Sequence, residues 1–412
     1  MDILYVSRLC SEQRLARLLR DQPVKPAQQE QKFHGLLARG LAASAREVTA
    51  LSLLPHDPGT RGFPAIEGEV EKGVAYRYLS LRRIPVLAHA FTFGWSFLST
   101  LAWSLARRGQ PRRVVCDVLD LSISAGALLA AKVTRTPAVA IVTDIPDYLH
   151  SYIGGAESAL GRAIIRAYRT LSTFFMERYD GYVLLTEAMN PLVNPKGRPH
   201  LVMEGMADPG MGQVPNTLEG KASEQVVIYA GALYAKYGVA TLLDAFLRVP
   251  RDEARLWLYG SGELEAELPA YEARDPRIRY WGVRPNAEVV AAEVRATLLV
   301  NPRPSSEAFT RFSFPSKNME YMASGTAVLT TRLPGMPADY LDHVFTFSEE
   351  SVAGMAGTLE RLLALPREAL HARGEAAKAF VLSRKSSLIQ AGRVHAFLEP
   401  LDRPVQQGNR PV

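Results

Sequence analysis

The sequence predicts an α/β protein built from two doubly wound domains that face each other across a cleft. Strand-like and helix-like segments alternate along the chain, and this alternation runs through two halves of about 200 residues each. A Gly- and Pro-rich stretch without apolar periodicity, residues 206–225, separates the halves. Strands that alternate with helices of this length form parallel sheets with helices on both faces.

The same pattern sets the expected domain boundaries. We predict a first domain over residues 1–205, a linker over 206–224, a second domain over 225–385, and a C-terminal helix and tail over 386–412.

Apolar runs and helical spacing predict the order of the elements. The strands predicted in the first half are Asp2–Ser7, Glu47–Leu54, Arg112–Leu121, Pro137–Ile145 and Asp180–Thr186, with helices at Gln28–Ala45, Ala125–Val133 and about 161–179. The strands predicted in the second half are Val226–Gly231, Ala254–Gly262, Arg277–Gly282, Thr297–Pro304, Thr326–Thr331 and His343–Ser348, with helices between them.

Composition indicates a globular protein of a reducing compartment. The chain has 412 residues, of which 47% are hydrophobic and 22% charged. Its two cysteines, Cys10 and Cys116, form neither a disulfide framework nor a zinc pattern, and the first residues do not resemble a secretory signal. We therefore expect a cytoplasmic protein.

Positive charge is concentrated in the first half. Residues 1–200 hold 25 Lys and Arg against 17 Asp and Glu, whereas residues 201–412 hold 23 against 25. This imbalance indicates an anionic partner such as a membrane surface or a phosphorylated substrate, or simply an arginine-rich sequence. No basic run is interleaved with aromatic residues, so nucleic acid is the least expected partner.

The stretch "SFPSKNMEYMASGTAVLTT" (Ser313–Thr331) holds the first candidate site. A strand precedes it, and a short helix that Gly325 ends follows the loop. Ligands of doubly wound sheets bind beyond the carboxyl ends of strands, and a helix N-terminus favours anions. Ser316 and Lys317 stand at that N-terminus, and Glu320 follows one turn later. An anionic ligand would explain why Lys317 stands at the helix N-terminus, and a ribose that donates hydrogen bonds would explain Glu320. The alternative is a surface ion pair between Lys317 and Glu320.

Four segments in this order carry a family resemblance: "YAGALYAKYGVATLLDAF", "YGSGELEAEL", "RIRYWGVRPNAEV" and "FPSKNMEYMASGTAVLTT". They resemble the donor-binding domain of family-4 glycosyltransferases, which have the GT-B fold of two Rossmann-like domains. "QKFHGLLARGL", "VTDIPDYL", "VLLTEAMN" and "VMEGMAD" in the first half are similar to that family more weakly. The resemblance spans roughly residues 1–385 and favours the branch that builds bacterial surface polysaccharides.

The resemblance implies roles for residues in the second half. The second carboxylate of the family's pair, which binds ribose, corresponds to Glu320. The first carboxylate of that pair corresponds to Phe312, so the usual contact to the donor sugar is missing. Glu307 on the same loop is the expected substitute. At the first glycine-rich turn Gly231 is present, but Ala232 replaces the usual Arg.

The remaining implied contacts concern the diphosphate and the base. Tyr237 stands at the usual Lys position with Lys236 one residue earlier, so the charge on the diphosphate is expected to be met by Lys236, Arg311 and Lys317. The expected nucleotide-sugar contacts are Gly231, Lys236, Gly260, Val283, Arg311, Ser316, Lys317 and Glu320. The donor would be UDP- or GDP-linked and a substrate, so we expect neither a cofactor nor a metal.

In the first half, which the family uses to bind the acceptor, the resemblance singles out Asp144. It corresponds to a position near the reacting centre, although a turn or helix-capping role is the alternative. Asp144, Lys317 and Glu307 are therefore the catalytic candidates. The family's glycine pair after the first strand is absent, because Pro26–Gln31 stands there.

Three other polar residues have structural alternatives. His34 either faces the cleft or packs, and Asp117 and Asp120 at a strand end either hold a metal or are simply solvated there. No nucleophilic hydrolase motif is present.

One long stretch has no charged residue between Ile84 and Ala106 and is flanked by Arg82, Arg83, Arg107 and Arg108. Its length is near that of a membrane span, but Pro, Gly, Ser and His dilute it. We interpret it as an interfacial element with aromatic residues toward the headgroups, with a buried helix as the alternative and a span least favoured. Arg162, Arg166 and Arg169 lie on one face of a later helix.

The sequence thus predicts a glycosyltransferase that moves a sugar from a nucleotide-sugar donor to a lipid-linked or polysaccharide acceptor. Transfer is expected to be retaining and metal-independent, at the inner face of the plasma membrane. A non-catalytic nucleotide-sugar-binding or scaffolding subunit is the alternative, kept open by Phe312 and Ala232. A sugar-nucleotide epimerase or hydrolase is a weaker third possibility, because fold does not settle function.

Overall fold

The chain folds into two compact units. The computed structural model describes residues 1–21, 28–54, 65–80, 85–145 and 159–402. The first unit comprises Met1–Glu204 with Ser387–Val412, and the second comprises Gly205–Ser386. Residues 206–224 are therefore part of the second unit, where the Asn216 amide donates a 2.8 Å hydrogen bond to the Ser324 carbonyl.

The first unit is an eight-stranded sheet covered by helices. Its elements are β1 (Asp2–Ser7), α1 (Glu12–Asp21), α2 (Gln28–Ala42), β2 (Glu47–Leu53), β3 (Ala65–Glu71), β4 (Val74–Ser80), α3 (Pro85–Ala106), β5 (Arg112–Asp117), α4 (Leu121–Val133), β6 (Ala138–Val142), α5 (Ala159–Met176), β7 (Gly181–Leu184), α6 (Asn190–Val193) and β8 (His200–Val202). The strand order is β3-β4-β2-β1-β5-β6-β7-β8, and every pair is parallel except β3–β4. Strand β1 is buried along its whole length, which matches its uninterrupted apolar sequence.

The β3–β4 hairpin at the sheet edge was not predicted. It turns at Lys72 and Gly73, both with positive φ. Glu67, Glu69 and Glu71 recur at every second position of β3, so the strand lacks the apolar run that identified the others.

The second unit is a six-stranded parallel sheet. Its elements are β9 (Gln225–Ala230), α7 (Val239–Phe246), β10 (Ala254–Tyr259), α8 (Leu268–Arg274), β11 (Ile278–Gly282), α9 (Asn286–Arg295), β12 (Leu298–Asn301), α10 (Ser316–Ser324), β13 (Ala327–Thr330), β14 (Phe345–Thr346), α11 (Val352–Leu363) and α12 (Arg367–Arg384). The order β11-β10-β9-β12-β13-β14 places β9 and β12 side by side at the centre. Apolar cores cover both faces of this sheet.

Two helices near the C-terminus complete the chain. Helix α12 has 18 residues and was not predicted. It packs on α10 and β13 of the second unit. The last helix, α13 (Ser387–Leu398), packs on α2 of the first unit.

Helices α3, α4 and α5 lie on one face of the first sheet. They connect β4 to β5, β5 to β6 and β6 to β7, so the chain moves in one direction along the sheet, and right-handed crossovers then place all three on the same face. Helix α3 packs closely on α4, because Gly126 allows it: a Cβ there would come within 2.4 Å of the Phe93 carbonyl oxygen.

The buried side of helix α3 carries mainly hydroxyl-bearing residues. Small hydroxyl-bearing residues and one tryptophan face inward: Thr92, Ser96, Thr100, Trp103 and Ser104. The Ser96 hydroxyl donates a 2.6 Å hydrogen bond to the Ile123 carbonyl of α4. Of the aromatic residues expected at a membrane interface, Phe91 is exposed, Phe93, Trp95 and Phe97 are half-buried, and Trp103 is buried.

Within the described ranges, no helix is long and apolar enough to cross a membrane. Arg82, Arg83 and Ile84 lie outside the described residues.

The close α3–α4 contact makes a stability prediction. We expect Gly126→Ala to lower the free energy of unfolding by at least about 1 kcal/mol, since the methyl group would push the helices apart and overpacking typically costs about 1–3 kcal/mol. Gly94→Ala on α3 is the matched control, because nothing lies within 4 Å of its Cβ position and helix propensity alone favours alanine. Urea unfolding of both variants measures the difference, and equal stability would contradict the close contact.

Candidate functional site

The centre of the second sheet is the place where a ligand crevice is expected. Strand β9 continues through α7 to β10 on one side, whereas β12 lies on its other side, so the strand order reverses between β9 and β12. In doubly wound sheets, ligands bind at the carboxyl ends of strands beside such a point. Residues 231–238 follow β9, and residues 302–315 follow β12.

Two glycines bring the backbone close together at this edge. Gly231 has a φ of 153°, and a Cβ there would lie 1.8 Å from the Lys317 Cε. Gly260 has a φ of 118°, and a Cβ there would lie 1.9 Å from the Gly231 carbonyl oxygen. The Gly231 N–H donates a 2.8 Å hydrogen bond to the Tyr259 carbonyl. Both predicted glycine contacts therefore lie at one place, and neither tolerates a side chain.

The Lys317 side chain is buried against this glycine turn. Only 8% of the residue is exposed, and its Nζ lies 3.4 Å from the Tyr229 hydroxyl and 5.0 Å from the centre of the Tyr229 ring. Among the described residues, no carboxylate lies within ion-pair distance of this Nζ. Burial, with the nearby positive charge of Arg303, lowers the pKa of Lys317 to about 8.

An aromatic cluster holds two further cations next to Lys317. The Arg303 guanidinium lies 4.7 Å from the centre of the Tyr237 ring and 5.4 Å from that of Phe309. The Lys236 Nζ lies 5.5 Å from the same Tyr237 ring, and the Lys317 Nζ lies 5.7 Å from it. Three cations thus surround one tyrosine ring at the carboxyl ends of β9 and β12.

Sequence reasoning did not single out Arg303. The sequence contains one weak indication that Arg303 belongs to the site. Arg303 follows the end of β12 by two residues and stands between Pro302 and Pro304. That location is the loop of a central strand, beside the reversal of strand order, where ligand-binding residues concentrate.

Buried polar contacts fix helix α10, which carries Ser316, Lys317 and Glu320. The Tyr321 hydroxyl accepts a 2.8 Å hydrogen bond from the Ala230 N–H on β9. The Asn318 amide oxygen accepts a 2.8 Å bond from Asn301 on β12, and its nitrogen donates a 3.2 Å bond to Thr330 on β13. Helix α10 is thereby tied to three neighbouring strands, which sets its N-terminus at their carboxyl ends.

The other predicted donor-site residues are more exposed. Ser316 is exposed on the first turn of α10, and Glu320 is half-buried one turn later. Arg311 is exposed and Glu307 half-buried on the loop after β12, where the Thr310 hydroxyl donates a 2.6 Å bond to the Glu307 carbonyl. Val283, 69% exposed, follows β11 at the same edge of the sheet.

In the first unit, Asp144 lies two residues after the end of β6. Its carboxylate accepts a 2.8 Å hydrogen bond from the Ile145 N–H, and burial raises the pKa of the Asp144 carboxyl. Both the turn role and a role in the reaction remain compatible with this position. Residues 146–158, which continue the loop, lie outside the described residues.

The three remaining polar candidates of this unit are engaged in contacts. His34 is buried, with its Nδ1 2.6 Å from the Tyr5 hydroxyl and its Nε2 3.3 Å from the Asp117 carboxylate. Burial is the largest single effect on His34 and opposes its protonation, but the charge and hydrogen bond of Asp117 together with the charge of Glu30 raise the pKa of His34. Asp120 caps α4 by accepting from the Ser122 N–H and pairs with Arg8 at 2.6 Å. These contacts give Asp120 a capping role, whereas His34 and Asp117 lie with Glu30 in a group whose possible metal-ligating atoms are all within 4.8 Å of one another.

Comparisons with known proteins agree with this architecture. The chain is similar to sucrose-phosphate synthase from Thermosynechococcus elongatus, with a TM-score of 0.65 at 15% identity over 98% of this chain and 99% of that one. It is also similar to HepE from Anabaena in complex with UDP and glucose, with a TM-score of 0.59 at 14% identity, covering 97% and 99%. The lipopolysaccharide outer core galactosyltransferase WaaB gives 0.58 at 12% identity, covering 97% and 99%.

Two parallel-sheet α/β units with these neighbours define the GT-B fold, as predicted. Within it, residues 224–364 match the family described as Glycosyl transferases group 1. This match covers β9 to α11 and therefore includes the glycine turn, Arg303 and Lys317. No curated protein matched the chain in a sequence comparison.

The low pKa of Lys317 makes a pH prediction. A bound diphosphate favours the protonated lysine, so affinity for a nucleoside diphosphate should fall as pH rises from 7.5 to 9.5 through the pKa of about 8, by up to about tenfold per pH unit. The diphosphate is fully ionised over this range and adds no slope, since phosphate titrates near pH 6. The Tyr229 phenol stays protonated, because burial raises its pKa.

Titration calorimetry at several pH values measures this dependence. Lys317→Met should bind the diphosphate more weakly and with a flat profile, and the free nucleoside should bind wild type with a flat profile. A steep profile that persists in Lys317→Met would assign the titration to another group.

Proposed function

We propose that this protein is a glycosyltransferase that moves a sugar from a UDP- or GDP-linked donor to an acceptor. The observation that carries the proposal is Lys317, a buried cation at a glycine turn beside the reversal of strand order, with no carboxylate of the described residues within ion-pair distance. It lies within the region that matches Glycosyl transferases group 1. HepE, a structural neighbour, was solved with UDP and glucose.

The chemistry needs positive charge where the leaving group gains negative charge. When the anomeric carbon separates from the diphosphate oxygen, Lys317, Arg303 and Lys236 stabilise the departing oxygens, together with the N-terminus of α10. The Gly231 and Gly260 turns let the backbone approach the phosphates, and Ser316 is placed to add a hydroxyl donor. In this proposal the residues of the chain supply the charge that a metal would otherwise supply.

The remaining donor contacts follow from position. Glu320 accepts hydrogen bonds from the ribose hydroxyls, Val283 contacts the base through its backbone, and Arg311 contributes charge from the exposed loop. Glu307 takes the donor-sugar contact that Phe312 does not provide. Asp144, whose raised pKa favours a shared proton, assists the acceptor hydroxyl. Retention at the anomeric carbon completes the proposal by analogy with the family.

We further propose a lipid-linked or polysaccharide acceptor, in surface-polysaccharide synthesis at the cytoplasmic face of the membrane. The basic surplus of residues 1–200 and the apolar surface of α3 support it. WaaB, an outer-core galactosyltransferase of lipopolysaccharide, is similar in fold.

Two departures from the family pattern favour a second candidate, a nucleotide-sugar-binding subunit without transferase activity. Phe312 and Ala232 replace residues that normally touch the donor. This candidate predicts donor binding without turnover.

The ribose contact gives the first prediction. Glu320→Ala should weaken nucleoside diphosphate binding by at least tenfold, since a charge-assisted hydrogen bond contributes about 1.5–3 kcal/mol. Glu288→Ala, at the exposed start of α9, is the matched loss of a carboxylate and should bind normally. Calorimetry measures both variants, and equal affinities would reduce Glu320 to a surface residue.

Turnover decides between the two candidates. Wild type should release nucleoside diphosphate from one member of a panel of UDP- and GDP-sugars when a lipid extract containing acceptors is present, and NMR of the product should show a retained anomeric configuration. Lys317→Ala should lower turnover more than it lowers nucleoside affinity, because its charge matters most in the transition state. Tight donor binding without release in any extract would instead support the non-catalytic subunit.

A further inference from the structure

We propose that Glu30, His34 and Asp117 of the first unit bind a divalent transition-metal cation, at a place called here the Glu-His-Asp site. The sequence left two possible roles open for each of His34 and Asp117, and the proposed function uses neither residue. The expectation that transfer needs no metal concerned the donor diphosphate, which is assigned to the second unit. The inference therefore goes beyond the proposed function and does not depend on it.

The fold brings the three side chains to the centre of the first sheet. Strand β2 lies on one side of β1 and β5 on the other, so the strand order reverses between β1 and β5. Asp117 is the last residue of β5, and His34 lies on α2, within the connection from β1 to β2. Glu30 precedes His34 by four residues on α2, so the two share one face of the helix. Doubly wound sheets bind ligands at the carboxyl ends of strands beside such a reversal.

The three side chains are close enough to bind one ion. One possible ligand atom from each lies within 4.8 Å of the other two. The His34 Nε2 lies 3.3 Å from an Asp117 carboxylate oxygen. Two ligands of one tetrahedral zinc ion are also about 3.3 Å apart, because each lies about 2.0–2.1 Å from the metal. The Glu30 side chain is long and only half-buried, so a change of rotamer brings its carboxylate to the same distance.

Tyr5 orients the histidine for this role. The Tyr5 hydroxyl lies 2.6 Å from the His34 Nδ1, and both residues are buried. When the Nδ1–H donates to this hydroxyl, the lone pair of Nε2 is left on the side of the Asp117 carboxylate. Histidine ligands of metals usually donate a hydrogen bond of this kind through the other ring nitrogen. We therefore assign Tyr5 as a positioning residue of the site.

An ion pair between His34 and Asp117 accounts for only two of the three side chains. Protonated His34 would donate its Nδ1–H to Tyr5 and its single Nε2–H to Asp117. No N–H of His34 would then be left for Glu30, the second carboxylate of the group. A divalent cation would instead be bound by both carboxylates and by the neutral imidazole at the same time.

Charge and ligand type identify the ion. The charges of Arg8 and Asp120 also act on Glu30, but these two residues pair with each other at 2.6 Å and largely cancel. Two ionised carboxylates and a neutral imidazole then balance a charge of +2. Zinc binds both ligand types, whereas magnesium prefers oxygen ligands alone. Bound zinc would connect α2 to β5 and stabilise the folded first unit.

Titration calorimetry of the untagged full chain, freed of metal by a chelator, tests the proposal. Wild type should bind one zinc ion per chain with saturation, and magnesium far more weakly. Glu30→Gln keeps the size of a half-buried side chain and should weaken zinc binding at least about tenfold. Tyr5→Phe should weaken it about 10–100-fold, the usual effect of losing the hydrogen bond behind a histidine ligand.

Thermal unfolding gives a second measurement on the same proteins. Zinc should raise the Tm of wild type, because it binds the folded state, and should raise that of Glu30→Gln much less at the same concentration. Circular dichroism without zinc shows whether Glu30→Gln is folded, so a lost ligand is distinguished from a lost fold.

The pair of Glu187 and His200 supplies the matched control. The His200 Nε2 lies 3.0 Å from the Glu187 carboxylate in the same unit, but among the described residues this pair is not part of a group of three possible ligands. Glu187→Gln and His200→Ala should therefore bind zinc like wild type. Glu187→Gln removes the same chemical group as Glu30→Gln, so only the position of the carboxylate differs.

Three results would overturn the assignment. Wild type without saturable zinc binding would leave the group as a protonated His34 between two carboxylates. Equal zinc affinities of wild type and folded Glu30→Gln would place the ion elsewhere, as would loss of binding in Glu187→Gln or His200→Ala. These measurements need neither donor nor acceptor, so their failure is separable from that of the transferase proposal, which nucleoside diphosphate release measures.

Discussion

The site of the second unit is built around Lys317, a cation in a position that disfavours positive charge. Lys317 is buried, stands at the positive end of α10, and lies next to Arg303. A pKa lowered from 10.5 to about 8 corresponds to about 3 kcal/mol of lost stability at neutral pH, where the unfolded chain holds the proton more easily. An anion bound beside the Lys317 ammonium would offset this cost.

Buried hydrogen bonds hold the helix that carries this lysine. Tyr321 and Asn318 tie α10 to β9, β12 and β13 through buried hydrogen bonds, so the helix cannot shift to expose Lys317. Gly231 leaves the space that the lysine side chain fills. In the proposed reaction, rigid supports of this kind would let the Lys317 charge act on the leaving group without reorganisation.

Local sequence was sufficient to predict the alternating strands and helices of the two sheets. Apolar runs identified β1, β9 and β12, and the glycine at 231 and the lysine at 317 followed from strand ends and a helix start. Arg303 was missed because its importance comes from Tyr237 and Phe309, which only tertiary structure brings next to it. The buried side of α3 was not predicted for a related reason: it depends on the space at Gly126, a property of α4.

Arg303 changes the interpretation of the departures from the family pattern at Ala232 and Tyr237. Ala232 has no charge, and Tyr237 stands where a lysine is usual, so the sequence alone suggests a weakened diphosphate site. In the structure the Tyr237 ring contacts Arg303 from the β12 loop and Lys236 from the β9 loop, with Lys317 on the same ring. Positive charge is thus supplied from other positions, through an aromatic side chain that a lysine could not replace. Loss of the usual residues at 232 and 237 is therefore weak support for a protein without activity, and Phe312 remains the stronger argument for that alternative.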